Sequence, residues 1–197
     1  MVSRPFDVSE RAVVRAITVT GDDILHRPCR EVTEFGTTEL AELIEDMVLT
    51  MHVADGAGLA ANQVGVSLRL FVYDCWDDDG VHHTGHLVNP VLDEPAPADR
   101  RLVDDAEGCL SVPGATVDVP RTDHAVARGF DQYGEPVVVA GNGQFGRCLQ
   151  HETDHLDGRL YLDRLSRRDR REALRQMADR REHVFALRAA RAAELGR

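Results

Sequence analysis

The string His151-Glu152-Thr153-Asp154-His155 has the form H-E-x-x-H. On a helix, residues four apart lie on one face, so both imidazoles reach toward a single ion. The glutamate beside the first histidine then stands at the ion's open position, where a carboxylate can take a proton from a bound water. That is the chemistry of metal-assisted hydrolysis. The competing reading is two hydrogen-bonded histidines on an ordinary helix. A catalytic ion of this kind usually keeps three protein ligands and a water, so a third ligand must come from elsewhere. The longer pattern H-E-x-x-H-x-x-G-x-x-H is met at Gly158 but ends on Tyr161, a poor ligand. Glu172 and Glu182 lie downstream in an Arg-rich polar stretch and read as solvated helix charges. Two cysteines compete. Cys148 shares the face of the two histidines, and Cys109 sits in the unusual string Glu107-Gly108-Cys109-Leu110-Ser111-Val112-Pro113. A thiolate suits a borderline or soft ion. Spacing alone tolerates either sulfur, and Cys148 also reads as a small buried apolar residue.

These residues need elements to hold them. Helical spacing over Phe145 to Leu156 predicts the helix that carries the motif, ended by Gly158; Gly146 weakens its start by roughly 0.5–1 kcal/mol relative to alanine. Leu40, Leu43, Ile44, Met47, Val48 and Met51 follow the i, i+3, i+4, i+7 rule and predict an amphipathic helix, capped by Thr37 or Thr38 with Gly56 past its end. Strands are predicted at Leu68–Asp74, at His86–Val91 (an edge strand, because of Pro90), at Val117–Val119, His124–Phe130 and Val137–Ala140. Asp131-Gln132-Tyr133-Gly134 joins the last two as a hairpin turn. Ser166, with Asp169 three residues on, opens a long polar helix to about Leu195. Helices and short strands mix without regular βαβ alternation, which argues α+β. His82, His83 and His86 follow Asp77-Asp78-Asp79-Gly80 and read as a solvated polar loop rather than a metal cluster. Arg121 and Arg128 are surface charges or peptide contacts; the sequence leaves this open.

The 197 residues suffice for one domain with an appendage. Hydrophobic residues at 43% and charged residues at 29% exclude a disordered chain. No run of about 18 apolar residues exists to span a membrane. Met1–Glu10 has no apolar signal core, and four cysteines without a C-x-x-C pair leave a reducing cytoplasm as the expected location. The net charge of −11 argues against a general DNA or RNA binder. The charge is split, however. Residues 167–197 carry ten arginines and five acids, net +5, while the rest carries 13 arginines and 29 acids, net −16. Such a tail is either a solvated helix or a surface for an acidic partner.

Three strings, in this order, resemble the signature motifs of peptide deformylase: Gly56-Ala57-Gly58-Leu59-Ala60-Ala61-Asn62-Gln63, Glu107-Gly108-Cys109-Leu110-Ser111, and Gln150-His151-Glu152-Thr153-Asp154-His155-Leu156-Asp157-Gly158. The similarity runs from about Thr18 to Leu165. It implies an α+β fold with antiparallel or mixed sheets packed around a central helix bearing H-E-x-x-H, plus a C-terminal helix. It implies a catalytic domain over residues 1–165, with the helix of residues 166–197 appended to it. It implies a divalent ion held by Cys109, His151 and His155, usually Fe(II), with zinc, nickel or cobalt able to occupy the site. Glu152 would be the general acid/base, and Gln63 and the backbone N–H of Leu110 the oxyanion hole. Ala57, Gly58, Gly108 and Gln144 would meet the substrate, an N-formyl-methionyl peptide, and the C-terminal helix could dock on the ribosome. Ala57 and Gln144 stand where the family often has larger apolar residues, which implies an altered preference for methionine over leucine.

Two other readings make different demands. An endopeptidase of the general H-E-x-x-H type would cleave internal bonds and have no need of Cys109. A catalytically silent relative would have lost a ligand, the base or an oxyanion donor, and here all are present.

Overall fold

The computed structural model describes residues 9–96, 98 and 100–196. Residues 1–8 of the stretch read above as lacking a signal core, and Arg197 of the basic tail, lie outside them. The first helix, α1, spans Thr38–Val53 and begins where Thr37 accepts a hydrogen bond from the Leu40 N–H. Its buried face is the predicted stripe from Leu40 to Met51. Asp55, not Gly56, takes the left-handed conformation after its end, with φ 60°.

Five antiparallel strands form the larger sheet: β1 (Gly58–Ala60), β2 (Leu70–Trp76), β3 (His82–Leu92), β6 (His124–Phe130) and β7 (Pro136–Asn142), in the order β1-β2-β3-β6-β7. β2 is apolar from Leu70 to Tyr73 because both of its faces are covered there. Leu70 and Val72 meet α1, whereas Phe71 and Tyr73 meet the second helix, α2 (Gly143–Leu156). The second sheet is the hairpin of β4 (Leu102–Cys109) and β5 (Val112–Thr122). α2 therefore lies between the two sheets, as the α+β expectation required. The last helix, α3 (Arg167–Glu194), is capped by Ser166 as predicted, and buries Ala173 and Met177 with Val112, Ala115 and Val119 of β5. No described helix is long and apolar enough to cross a membrane.

The structure corrects four local expectations. β3 is not an edge strand. It is paired on one side with β2 and on the other with β6, and Pro90 falls where the β6 register shifts between Val88 and Val91. A bulge leaves an unpaired position, so the missing proline N–H costs no ladder bond there. Asn89 turns the bulge at φ 50° and ties its side chain to both backbone groups of Val32, at 2.8 and 2.9 Å. The histidines at 82, 83 and 86 belong to this strand, not to a loop. His82 contacts Asp74, His83 contacts Asp77 and stacks on Phe145, and His86 accepts the Gln132 N–H. Gly146 is no weak point either. A Cβ there would lie 2.7 Å from the Gly141 carbonyl oxygen, so glycine lets α2 pack closely on β7. Finally, β4 was not foreseen, and β5 is far longer than the three residues expected.

Candidate metal centre and active site

Two elements meet at the H-E-x-x-H motif. α2 carries His151, Glu152 and His155, all buried, and the end of β4 brings in Cys109. The Cys109 Sγ lies 3.2 Å from His155 Nε2, which lies 3.2 Å from His151 Nε2. The three ligand atoms fall within 4.8 Å of one another, the one such group of His, Cys, Asp or Glu among the described residues. An ion bound tetrahedrally at about 2.0–2.1 Å would hold two imidazole nitrogens about 3.3 Å apart. The donor set and its spacing therefore fit a single ion, and the two-imidazole, one-thiolate set suits a borderline metal. Cys148, the competing ligand, points elsewhere: its Sγ is 3.5 Å from the Ala57 carbonyl oxygen. Tyr161 stacks against His151, and Glu172 pairs with Arg175 on α3.

A chain of charges stands behind the first histidine. His151 Nδ1 is 2.6 Å from Glu107 Oε1. Arg121, buried to 2% exposure, donates twice to Glu107, at 2.6 and 2.8 Å, and once to Asp154, at 2.6 Å. Arg164 closes the chain with two bonds of 2.6 Å to Asp154. Burial alone would raise the Glu107 pKa; the hydrogen bonds from Arg121 and His151 outweigh it and hold the carboxyl far below its usual range. Burial opposes charge on His151, but Cys109 and Glu107 outweigh it and favour a positive centre. His155 is driven the other way, by burial and then by His151. Sequence reading missed this chain. Glu107 was in view only as part of a string, and Arg121, expected as a surface charge or a peptide contact, is instead buried against Glu107 and Asp154.

Glu152 is 3% exposed, and its Oε2 has no hydrogen-bond partner among the described residues. Burial, above all, pushes its carboxyl up to about 7. A carboxyl in that range can both accept and return a proton near neutrality. It faces a cleft of about 550 Å³. Gly58 forms the opposite wall, where a Cβ would come within 2.5 Å of Glu152 Oε1 and 2.7 Å of Cys148 Sγ. Gln63 follows in a short 3-10 helix, Ala61–Val64. Its Oε1 accepts the Ala60 N–H at 2.8 Å, which turns its Nε2 toward Ser111 Oγ at 3.1 Å and Cys109 Sγ at 3.6 Å. An amide donor is thus fixed at the edge of the three-ligand group. Ala57, Gly108, Leu110 and Gln144 also line the cleft, Gln144 with an exposed side chain at its mouth. Arg128, in contrast, pairs with Asp93 on the surface. Nothing in the sequence pointed to Arg188 and Arg191 of α3, which line the cleft too.

Comparison with known proteins gives the same answer throughout. The sequence model of the polypeptide deformylase family matches residues 14–171. Peptide deformylase 1 of Streptomyces avermitilis is 55% identical over 171 residues, covering 86% of this chain and 78% of that protein. Peptide deformylase 2 of the same organism is also 55% identical, over 85% of this chain and 88% of the relative. Among solved structures, a peptide deformylase from Legionella pneumophila superposes with a TM-score of 0.76 at 37% identity, over 88% of this chain and 98% of the other. A peptide deformylase from Synechococcus elongatus in complex with actinonin gives 0.74 at 34% identity, over 87% and 95%. With the matched segment spanning most of its length, the chain belongs to the peptide deformylase family.

Proposed function

We propose that Cys109, His151 and His155 hold the ion with which this chain hydrolyses the N-formyl group of formyl-methionyl polypeptides, and that Glu152 moves the protons. Peptide deformylases are metal-dependent hydrolases acting on formyl-peptides, and the chain is one of them. What supports the residue assignment is one observation: the three ligand atoms converge beside a buried carboxyl at the floor of the cleft. Fe(II) is our choice of ion, with zinc, nickel or cobalt as substitutes. When bound, the ion supplies Lewis acidity, polarising the formyl oxygen and acidifying a water.

The chain's own groups do the rest. Glu152 takes the attacking water's proton and later delivers it to the departing amine nitrogen, a role that contributes about 10²–10⁴-fold. Gln63 Nε2 and the Leu110 N–H donate to the developing oxyanion, each worth about 2.7–4 kcal/mol at the transition state. The amide brings a donor without adding charge. Glu107 orients His151 and is itself neutralised by Arg121, as partners behind metal-bound histidines do. Gly58, Ala57 and Gly108 leave room for an extended peptide to approach the backbone, and Gln144 stands at the side-chain pocket. Formate release from formyl-Met-Ala-Ser tests the assignment: wild type is active, and Glu152→Ala and Cys109→Ala lose nearly all of it. Undiminished release by either variant refutes it.

In our reading the enzyme works in the cytoplasm on nascent chains, with residues 1–165 as the catalytic unit and the helix of residues 166–197 appended to the same domain. The exposed arginines at the start of α3, Arg167, Arg168 and Arg171, form no ion pair among the described residues and suit ribosomal RNA phosphates. Because the far end of α3 lines the cleft, the test is charge reversal of these three rather than deletion. Co-sedimentation with ribosomes at low salt should fall; unchanged co-sedimentation ends the idea.

A further inference from the structure

α3 does more than cover β5. Its last turns reach the cleft, where Val184, Leu187, Arg188 and Arg191 join the lining. The two arginines differ. Arg191 is neutralised by Asp55, at 3.0 Å, and also reaches the Val53 carbonyl. Arg188 has no carboxylate within ion-pair distance among the described residues. Its one hydrogen bond there is from Nη2 to the Leu110 carbonyl oxygen, at 3.1 Å, and its buried Nε has no partner. The guanidinium has five donors in a fixed fork. Most of its capacity is therefore unspent, at the residue next to the ligand Cys109.

The acids nearby cannot answer it. Glu107 is bound to Arg121 and His151, and Asp55 to Arg191. Glu152 is the carboxyl that the reaction itself requires. A half-buried cation left over in a cleft is stabilised by an anion brought in from outside, and a planar fork matches a carboxylate with two bonds. A formyl-peptide lying extended in the cleft advances about 3.3–3.6 Å per residue. With the formyl carbon at the ion beside Cys109, the residues after the formyl-methionine are the ones that extend away from the ion along the cleft that Arg188 also lines.

We propose that Arg188 is a specificity-determining residue, selecting formyl-peptides with an aspartate or glutamate within the three residues after the formyl-methionine. This rests on the deformylase reading given above and adds a charge preference to it. The helix beyond the matched family segment would thus contribute directly to choice of substrate.

The test uses the full-length, metal-loaded chain and C-terminally amidated peptides, so that no terminal carboxylate intervenes. Formyl-Met-Ala-Ser-Ala-amide is compared with variants carrying glutamate or lysine at the second, third or fourth position. For the wild type, kcat/KM for formate release should favour glutamate over lysine by roughly fivefold or more at one position, mostly through KM, and the ratio should shrink at high salt. Arg188→Gln should bring the ratio near one, Arg188→Lys should retain part of it, and Arg188→Glu should invert it. Calorimetric binding of the unformylated peptides should show the same order without any turnover. If wild type shows equal kcat/KM for the glutamate and lysine peptides, the inference is overturned while the deformylase reading stands. A uniform loss for all peptides in Arg188→Gln also overturns it, because the residue would then only brace Leu110. If no peptide releases formate, the deformylase reading itself fails, and the binding order still decides the role of Arg188.

Discussion

Replacing Gly58 by alanine probes how tightly the proposed general base, Glu152, is held. Gly58 is paired with Tyr73 in the buried β1–β2 ladder and has an ordinary backbone conformation, so alanine meets no φ penalty there. The added methyl instead meets Glu152 Oε1 at 2.5 Å and Cys148 Sγ at 2.7 Å. An ordinary contact begins near 3.4 Å, so the carboxylate must retreat by about 0.9 Å, and a misplacement of about 1 Å costs roughly 100-fold in rate. That is about 2.7 kcal/mol of barrier. The loss should fall chiefly on kcat, because the atoms nearest the added methyl are those of Glu152 and Cys148. Steady-state formate release measures it, with thermal unfolding as the control for folding. Adding Cys148→Ala should recover only part of the rate, since the carboxylate contact remains. If Gly58→Ala kept kcat within about threefold of wild type, Glu152 would not be positioned by this wall.

Other perturbations follow from the buried charges. Arg121→Met leaves Glu107 and Asp154 short of their shared cation in the interior, and should cost about 3–5 kcal/mol in urea unfolding of the metal-free chain; a loss below about 1 kcal/mol would mean that water reaches the network. His86 is held below its usual pKa by burial, and in accepting the Gln132 N–H its ring acts in the neutral form. A histidine depressed in the folded state binds fewer protons than in the unfolded chain, so its contribution is intact above about pH 6.5 and is lost as pH falls from there through the folded pKa. Stability should therefore drop between pH 7 and 5 more steeply in wild type than in His86→Gln; parallel curves would contradict this.

Much of this architecture was legible because burial imposes a period. The stripe from Leu40 to Met51 and the face carrying Phe145, Cys148, Leu149 and Leu156 each press one side of a helix into a core, and both elements appear where expected. β4 escaped notice because six of its eight residues are exposed and three, Asp104, Asp105 and Glu107, are acidic, with only Glu107 buried, so no apolar alternation marks it. Pro90 misled because the rule for proline concerns a missing ladder bond, and a bulge removes the need for that bond. At the site, the motif residues were identifiable from short strings, as each carries its chemistry in its own side chain. The group behind them was not. Arg121, Asp154 and Arg164 are brought to Glu107 by tertiary packing alone, and the same holds for Arg188, which lies 78 residues from the carbonyl it binds.

In the proposed site one ion is held by one sulfur and two imidazole nitrogens, with Glu152 beside it. X-ray absorption at the metal edge of the zinc- or cobalt-loaded chain tests this most directly. One sulfur neighbour is expected at about 2.3 Å and two imidazole nitrogens at about 2.0–2.1 Å, with the sulfur lost in Cys109→Ser and kept in Cys148→Ser. A sulfur shell that survives Cys109→Ser, or a wild-type spectrum with no sulfur at all, would contradict it.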